Sequence, residues 1–326
     1  MQPSKPVRVS TRTVAVSVFL LLVAGALVTS TGSGLAVPDW PLSYGKLMPP
    51  MVGGILYEHG HRMIAATVAT MVGLQILVLG FGRTDRTTFR LGLAAFGAIL
   101  AQAVLGGMTV LFLLPPAISS AHAGLAQIVF ALTATIALRT SLFWSRFTAE
   151  APRAAVSEEA LAKASRLALW AAGATWVQIM LGAIVRHTGA GLAIPDWPLS
   201  FGKVVPTGAD WAASGVLAHF AHRTFAWAVA ALVVAAAFAL RRLGGVPGLR
   251  ALAGLWLALL AAQVTLGATS VWTAKAVWAT SAHLAVGGLL WIAGVLAAVL
   301  LARLAALSTA PARAGAPAGE TAPAPA

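Results

Sequence analysis

Residues 57–62 of this chain read YEHGHR, and residues 218–223, at an offset of 161 positions, read AHFAHR. Both stretches end in the same histidine–arginine pair. One position differs in kind, because Glu58 of the first stretch corresponds to His219 of the second. A repeated histidine frame with a carboxylate in only one copy is the pattern that the fold and the function must explain.

The same offset applies to a second histidine in each copy. It maps His122 onto His283, so the repeated histidines form two pairs, His61 with His122 and His222 with His283. Inside the apolar sequence it also repeats Gln102 as Gln263 and Gly106 as Gly267, for which helix packing is favoured over a role as ligand.

The composition is that of a polytopic membrane protein. Of 326 residues, 59% are hydrophobic and 10% are charged, and the mean hydropathy is +0.86. Because a helix of about 20 apolar residues crosses a bilayer, the apolar runs predict an all-α protein with eight transmembrane helices. These lie near residues 13–30, 54–81, 91–113, 117–138, 167–186, 214–240, 249–271 and 277–302.

The net charge of +13 follows from topology and does not indicate a nucleic-acid partner. With the N-terminus inside, only six of the 22 Lys and Arg residues fall on the outer side or at outer helix ends. This positive-inside bias predicts that both termini are cytoplasmic. The chain has no cysteine, which excludes disulfides and iron–sulfur clusters.

The internal repeat extends into a loop after the first helix of each half. Residues 31–46 read TGSGLAVPDWPLSYGK, and residues 188–203 read TGAGLAIPDWPLSFGK. Each half contains four spans, so both halves enter the membrane in the same orientation, as a parallel repeat of two four-helix bundles. The predicted order is a cytoplasmic N-terminus (1–12), a first bundle (13–138), a cytoplasmic linker with a short surface helix (139–166), a second bundle (167–303) and a disordered Ala/Pro-rich tail (304–326).

The repeated histidines share one depth in the membrane. Counting about 1.5 Å per residue from the inner helix ends places all four roughly 25–30 Å from the cytoplasmic surface. Two histidines at one depth in a bundle core are typical of axial ligands to a heme iron. Candidate partners for the propionates at the outer edge are Arg62, Arg223, Lys46, Lys203, Trp40 and Trp197. The alternative is that the histidines only hydrogen-bond between helices.

Glu58 precedes His61 by three residues, so both project from one face of a helix. Its carboxylate is either solvated at the membrane edge or a catalytic group that takes protons or stabilises positive charge on a substrate. Because the second half lacks it, we expect one heme that is chemically changed and one that carries electrons. His59 is expected at the interface, and His219 is expected to support the second site.

These residues resemble the heme A synthase family of cytochrome oxidase assembly. The resemblance rests on Glu58 with His61 and Arg62, on the repeated loop, and on the three remaining repeated histidines, and it covers about residues 13–303. It implies that the C8 methyl of heme O is oxidised to a formyl group by two hydroxylations and loss of water, giving heme A. The location it implies is the bacterial cytoplasmic membrane, with the heme sites toward the outer side.

The resemblance also implies roles for single residues. His61 and His122 would be the axial ligands of the substrate heme, with Glu58 as the catalytic group beside it, and His222 and His283 would hold a resident heme b. Heme O synthase and the oxidase assembly machinery would be partners. The sequence does not identify the membrane electron donor, and it leaves a homo-oligomer open.

Many family members carry a cysteine pair in the outer loops, and this chain departs from that pattern. The matching positions hold Val37 and Ser43 in the first loop, and Ile194 and Ser200 in the second. A thiol-based step is therefore in doubt. Three other functions stay open: a quinol-linked di-heme electron carrier, a non-catalytic heme-handling assembly factor, and a transporter. The first leaves Glu58 without a purpose, and the same-orientation halves disfavour the last.

Overall fold

The computed structural model describes residues 3–151 and 156–309 of the chain. In those ranges it contains eight helices that are long and apolar enough to cross a membrane, which confirms the predicted all-α class. A ninth, short helix joins the two halves. In chain order the helices are α1 (Lys5–Ser30), α2 (Gly53–Phe81), α3 (Arg86–Leu111), α4 (Pro116–Arg139), α5 (Leu142–Glu150), α6 (Glu158–His187), α7 (Val216–Arg242), α8 (Leu249–Trp272) and α9 (Val277–Ser308).

Several helix ends lie beyond the apolar runs from which they were predicted. Helix α1 starts at Lys5, so most of the expected N-terminal segment 1–12 is helical. Helix α6 starts at Glu158, where the Ser157 side chain accepts a hydrogen bond from an amide of the first turn. Helix α9 runs to Ser308 and not to residue 303. Capping residues and charged first turns extend a helix past its apolar section. Hydropathy alone does not predict these extensions.

The linker contains the expected short helix. Helix α5 begins after Ser141, whose side chain accepts a hydrogen bond from the amide of Trp144. Phe147 of this helix is fully buried and packs with the second half of the chain. Residues 152–155 of the linker and 310–326 of the predicted tail lie outside the described residues.

The spanning helices pack as two rings of four. In the first ring α1 contacts α2 and α4, and α3 contacts α2 and α4; in the second, α6 contacts α7 and α9, and α8 contacts α7 and α9. The two histidine-bearing helices of each half, α2 with α4 and α7 with α9, therefore stand diagonally across their rings. This arrangement is consistent with the predicted repeat of two bundles.

The rings meet along α1, α4, α6 and α9, and the pairs α1–α9 and α4–α6 are equivalent under the repeat. A polar cluster joins them near one end. Arg186 donates to the carbonyl of Ala26 and to the hydroxyl of Ser30, both at 2.7 Å. Thr280 and Ser281 each donate to the same Ser30 hydroxyl at 3.0 Å. One side chain of α6 and two of α9 are thus fixed to the end of α1.

The apolar cores occupy the opposite half of each ring. In the first ring the buried cluster includes Val14, Val72 and Ile136, and in the second it surrounds the fully buried Trp256. The histidines lie toward the other end, near the start of their helices. Close apolar packing thus fixes the half of each ring away from the histidines, and the half that contains them carries the polar groups of the site.

Candidate functional site

Each repeated histidine in the first half lies against a glycine of the preceding helix. A Cβ atom built on Gly25 of α1 would lie 3.2 Å from Cε1 of His61, and one on Gly106 of α3 would lie 3.1 Å from Cε1 of His122. Both distances are shorter than an ordinary van der Waals contact. The absence of a side chain therefore makes room for each imidazole ring.

The second half repeats this contact. A Cβ atom on Gly182 of α6 would lie 3.0 Å from Cε1 of His222, and one on Gly267 of α8 would lie 3.1 Å from Cε1 of His283. The sequence pointed to two of the four glycines, those on the third helix of each half. The pair on the first helices, Gly25 and Gly182, was missed, although the 157-residue offset of the outer loops relates them.

Three glutamines lie beside the histidines. Gln102 donates to the carbonyl of His122 at 2.9 Å, and Gln178 donates to the carbonyl of His222 at 2.9 Å. The amide of Gln178 also lies 3.0 Å from Nδ1 of His222, and that of Gln263 lies 3.3 Å from Nε2 of His283. Sequence reasoning missed Gln178 because its counterpart is Leu21, so the repeat does not single it out.

The imidazole nitrogens are largely free of protein partners. Nδ1 of His61, His122 and His283 is buried and has no hydrogen-bond partner in the described part of the chain. Buried polar atoms usually have a partner, so their lack of one favours a ligand that the histidines would hold. Two imidazoles on diagonal helices suit the two axial positions of a heme iron. Within residues 3–151 and 156–309 no three His, Cys, Asp or Glu side chains cluster as metal ligands.

Glu58 is buried, with 4% of its surface exposed, which rules against the alternative that its carboxylate is solvated. The carboxylate forms an ion pair with Arg62 and accepts a hydrogen bond from the amide of Val37 at 2.8 Å. In the second half Nδ1 of His219 accepts from the corresponding amide, that of Ile194, at 3.2 Å. Both side chains fasten the outer loop, but only Glu58 brings a negative charge.

The two arginines related by the repeat hold the loops by donating hydrogen bonds to loop carbonyl groups. Arg62 donates to the carbonyls of Asp39 at 2.6 Å and Leu42 at 3.0 Å. Arg223 donates to those of Asp196 at 2.8 Å and Leu199 at 2.7 Å. These contacts fix each guanidinium group at the mouth of its ring. Contact with a propionate stays a prediction for both.

An aspartate closes a tight turn in each loop. Asp39 accepts from the amides of Tyr44 and Gly45 at 2.7 and 2.8 Å, and Asp196 accepts from the two equivalent amides. The amide donors, that of Gly45 first, hold the pKa of Asp39 below its usual range. Tyr44 and Gly45 have φ angles of 54° and 68°, which the paired hydrogen bonds support. The loops are therefore fixed structures over the ring mouths.

The remaining predicted residues take different positions. The ring of Trp40 lies against Gly107, next to the glycine that contacts His122, and Trp197 packs edge-on against Trp272. Lys203 contacts Asp210 at 3.2 Å and Thr207 at 2.6 Å. Lys46 is exposed at the loop tip. Trp40 is thus placed over the first histidine pair, whereas the two lysines point to other partners or to solvent.

His59, predicted to lie at the membrane interface, packs against the first loop. It is buried, with 6% of its surface exposed, and its Nδ1 lies 2.7 Å from the hydroxyl of Ser43. Ser43 is one of the positions at which many family members carry cysteine. All four such positions, Val37, Ser43, Ile194 and Ser200, are buried in this chain.

These features define a class of protein: a multi-pass membrane protein with two helical rings, each bearing a histidine pair suited to a heme. Comparison with known proteins gives the family. Residues 54–295 match the model of the COX15-CtaA family, described as cytochrome oxidase assembly protein, and the chain belongs to that family.

Named relatives point the same way. The chain is 35% identical over 260 residues to the heme A synthase of Symbiobacterium thermophilum, which covers 77% of this chain and 81% of the relative. It is 29% identical over 234 residues to the heme A synthases of Bacillus cereus strain AH187 and Bacillus mycoides. Those matches cover 68% of this chain and 70% of each relative.

Proposed function

We propose that this chain acts as a heme A synthase, an enzyme that oxidises the C8 methyl group of heme O to a formyl group in the assembly of cytochrome oxidase. Heme O is the substrate and heme A is the product. One observation carries this conclusion: a family member with two matched histidine pairs has a buried carboxylate beside only one of them. The electron-carrier and assembly-factor functions do not account for that carboxylate.

The two rings take different hemes in this proposal. His61 and His122 hold heme O as axial ligands in the first ring, and His222 and His283 hold a heme b in the second. The glycines beneath the four imidazoles support both assignments, since they leave the rings room to turn toward a porphyrin between the helices. A heme b held by His222 and His283 would supply a path for electrons to the substrate.

Glu58 is the catalytic group in the first ring. Its carboxylate is fixed by Arg62 and by the amide of Val37, so its position does not depend on solvent. A fixed carboxylate can take the proton released as the methyl carbon is oxidised, and it stabilises positive charge on that carbon. The neutral imidazole of His219, which occupies the equivalent place, cannot provide the negative charge.

The membrane placement completes the proposal. The chain lies in the cytoplasmic membrane of a bacterium with both termini in the cytoplasm, because its arginine and lysine residues concentrate on that side. The heme sites and the outer loops then face outward. Residues 13–138 form the substrate ring and residues 167–303 the heme b ring. Heme O synthase is the proposed source of substrate.

Chromatography of acid-extracted hemes tests the function. The full chain is produced together with a heme O synthase in a host that makes no heme A, and is then purified. Heme A or its hydroxylated precursor, present alongside heme B, is the expected result. Recovery of heme B alone, with heme O available and unaltered, would contradict the enzymatic function and favour an electron carrier.

A further inference from the structure

A groove runs along the lipid-facing side of the first ring between α1 and α2. It consists of two adjoining cavities of about 340 and 240 Å³ that share Met71 in their linings. The outer cavity is lined mainly by apolar side chains, among them Leu20, Met63 and Ile64. The inner cavity continues past Val14 toward the other side of the membrane.

The groove starts beside the first histidine pair. Met63 and Ile64, which line the outer cavity, follow His61 by two and three residues on α2, and the His61 ring lies against Gly25 of α1, five residues after the lining residue Leu20. A rise of about 1.5 Å per residue places Leu74, at the inner end, roughly 16 Å from Met63. An apolar chain attached to a porphyrin edge at His61 would find a continuous path of that length.

The inner end of the groove is polar. Gln75 lines it with 1% of its surface exposed, and neither its amide nitrogen nor its amide oxygen has a hydrogen-bond partner in the described residues. Ser10 and Thr13 of α1 line the same end. An apolar chain that enters at His61 therefore meets a polar boundary there, which limits the length of chain that the groove accepts.

The equivalent positions of the second ring carry other side chains. Phe225 replaces Ile64 and Leu167 replaces Ser10, and both pack against the apolar core of that ring. Ala236 replaces Gln75 and is fully buried. Helices α6 and α7 also make the more extensive contact. The same seam is thus filled in the ring assigned to heme b.

We propose that the groove between α1 and α2 binds the isoprenoid chain of heme O and thereby selects heme O over heme B. This inference rests on the proposed function. Heme O carries a chain of three isoprene units that heme B lacks, and a chain that long must leave the ring through a gap between helices. The α1–α2 seam offers that gap beside His61, and the filled seam of the second ring suits a heme without the chain.

Heme binding to the purified full-length protein tests the proposal. The protein, with heme b in the second ring, is titrated with ferric heme O and separately with ferric heme B, and binding is followed by absorption. The double substitution Ser17→Phe and Thr67→Phe places two large side chains in the outer cavity. The matched control is Val16→Phe, because Val16 neighbours Ser17, is 58% exposed and does not line the groove.

We expect the unsubstituted protein and the control to bind heme O at least tenfold more tightly than heme B. The double variant should lose this preference and keep its affinity for heme B, which also shows that the first ring is intact. A preference that survives the double substitution would overturn the proposal and indicate that membrane lipid fills the groove. The single variant Thr67→Phe is measured as well. If both the double and the single variant lose affinity for heme O and heme B to the same extent, the proposal is also overturned.

Failure of the groove proposal can be distinguished from failure of the proposed heme A synthase function. If the protein makes heme A but shows no preference for heme O, the groove has no role in selection while the enzymatic function stands. If it makes no heme A and binds neither heme in the first ring, the proposed function itself fails.

Discussion

In both halves a side chain one helical turn before a heme-ligand candidate binds a backbone amide of the outer loop, yet that side chain is Glu58 in one half and His219 in the other. The loops, the arginines that hold them and the glycines under the histidines are otherwise matched. The duplicated structure therefore does not need a carboxylate at this position, since an imidazole fastens the loop as well. Glu58 differs from His219 in carrying a negative charge, which we expect to serve the reaction and not the fold.

The seams between the first two helices of each half show the same kind of difference. The first ring has an open groove that ends at Gln75, which has no hydrogen-bond partner among the described residues, and the second has apolar side chains packed in the corresponding place. A site that exchanges its heme at every turnover needs a way in, whereas a site with a resident heme benefits from closure. The two seams therefore differ in the way that the proposed division into a substrate site and a cofactor site requires.

The largest expected effect comes from removing one histidine in each half. His222→Ala should abolish the bound heme b, because one axial ligand and its glycine contact are lost, while His61→Ala should keep heme b and make no heme A. The absorption spectrum of the purified protein and its extracted hemes measure both. If His61→Ala loses the resident heme and His222→Ala keeps it, the assignment of the two rings is reversed.

The next test exchanges Glu58 and His219, the side chains that bind a loop amide in each half. Glu58→His should keep the contact with the amide of Val37 and retain bound heme, but lower the rate of heme A formation by about 10²- to 10⁴-fold. His219→Glu is the matched exchange in the second half, and a much smaller effect on the rate is expected there. A normal rate for Glu58→His would show that fastening the loop is the sole role of this position.

Adding a methyl group beneath a histidine should give a smaller effect confined to one ring. Gly182→Ala places a Cβ 3.0 Å from His222, and overpacking of this kind costs about 1–3 kcal/mol, which corresponds to about a 5- to 150-fold loss of heme b affinity. Gly25→Ala should instead weaken heme O binding in the first ring. Gly173→Ala on the same helix as Gly182 is the control, since its Cβ would meet nothing within 4 Å. Heme titration distinguishes the three variants.

The contact between the two rings includes Arg186, an arginine that the first half does not repeat. Arg186→Leu removes two hydrogen bonds to α1, and because each hydrogen bond from a charged donor contributes about 1.5–3 kcal/mol, the midpoint of thermal unfolding should fall by several degrees. Thr29 is the equivalent position of the first half and is exposed, so Thr29→Leu should leave the midpoint unchanged. An unchanged midpoint for Arg186→Leu would show that the rings do not rely on this contact.

The smallest effect concerns the loops in acid. The folded pKa of Asp39 lies below its unfolded value, so its carboxylate stabilises the turn above the unfolded pKa of 3.8, and this is lost as the pH falls through the folded pKa. Hydrogen-exchange protection of the Tyr44 and Gly45 amides should therefore hold at pH 6 and decline below about pH 4. Asp39→Asn should show no such decline. Equal profiles for the two proteins would contradict the assigned hydrogen bonds.

Much of this protein could be predicted from its sequence because the repeat compares the chain with itself. The offset identified four histidines and isolated Glu58 as the unmatched group beside them, and hydropathy gave the eight spans. Residues that have no partner in the repeat escaped this comparison, as Gln178 and Arg186 did. Gly25 and Gly182 escaped for another reason, since a glycine in an apolar helix does not reveal which side chain lies against it.

The sequence by itself determined the class of fold, the histidine pairs, their depth and the unmatched carboxylate, because these depend on hydropathy and on spacing along single helices. The tertiary structure alone decided that Glu58 is buried and bound to a loop amide, that each histidine rests on a glycine, and that the α1–α2 seam is open in one ring and filled in the other. Each of these is a contact between helices distant in sequence. Such contacts depend on how side chains fit across a gap, which periodicity within one helix does not encode.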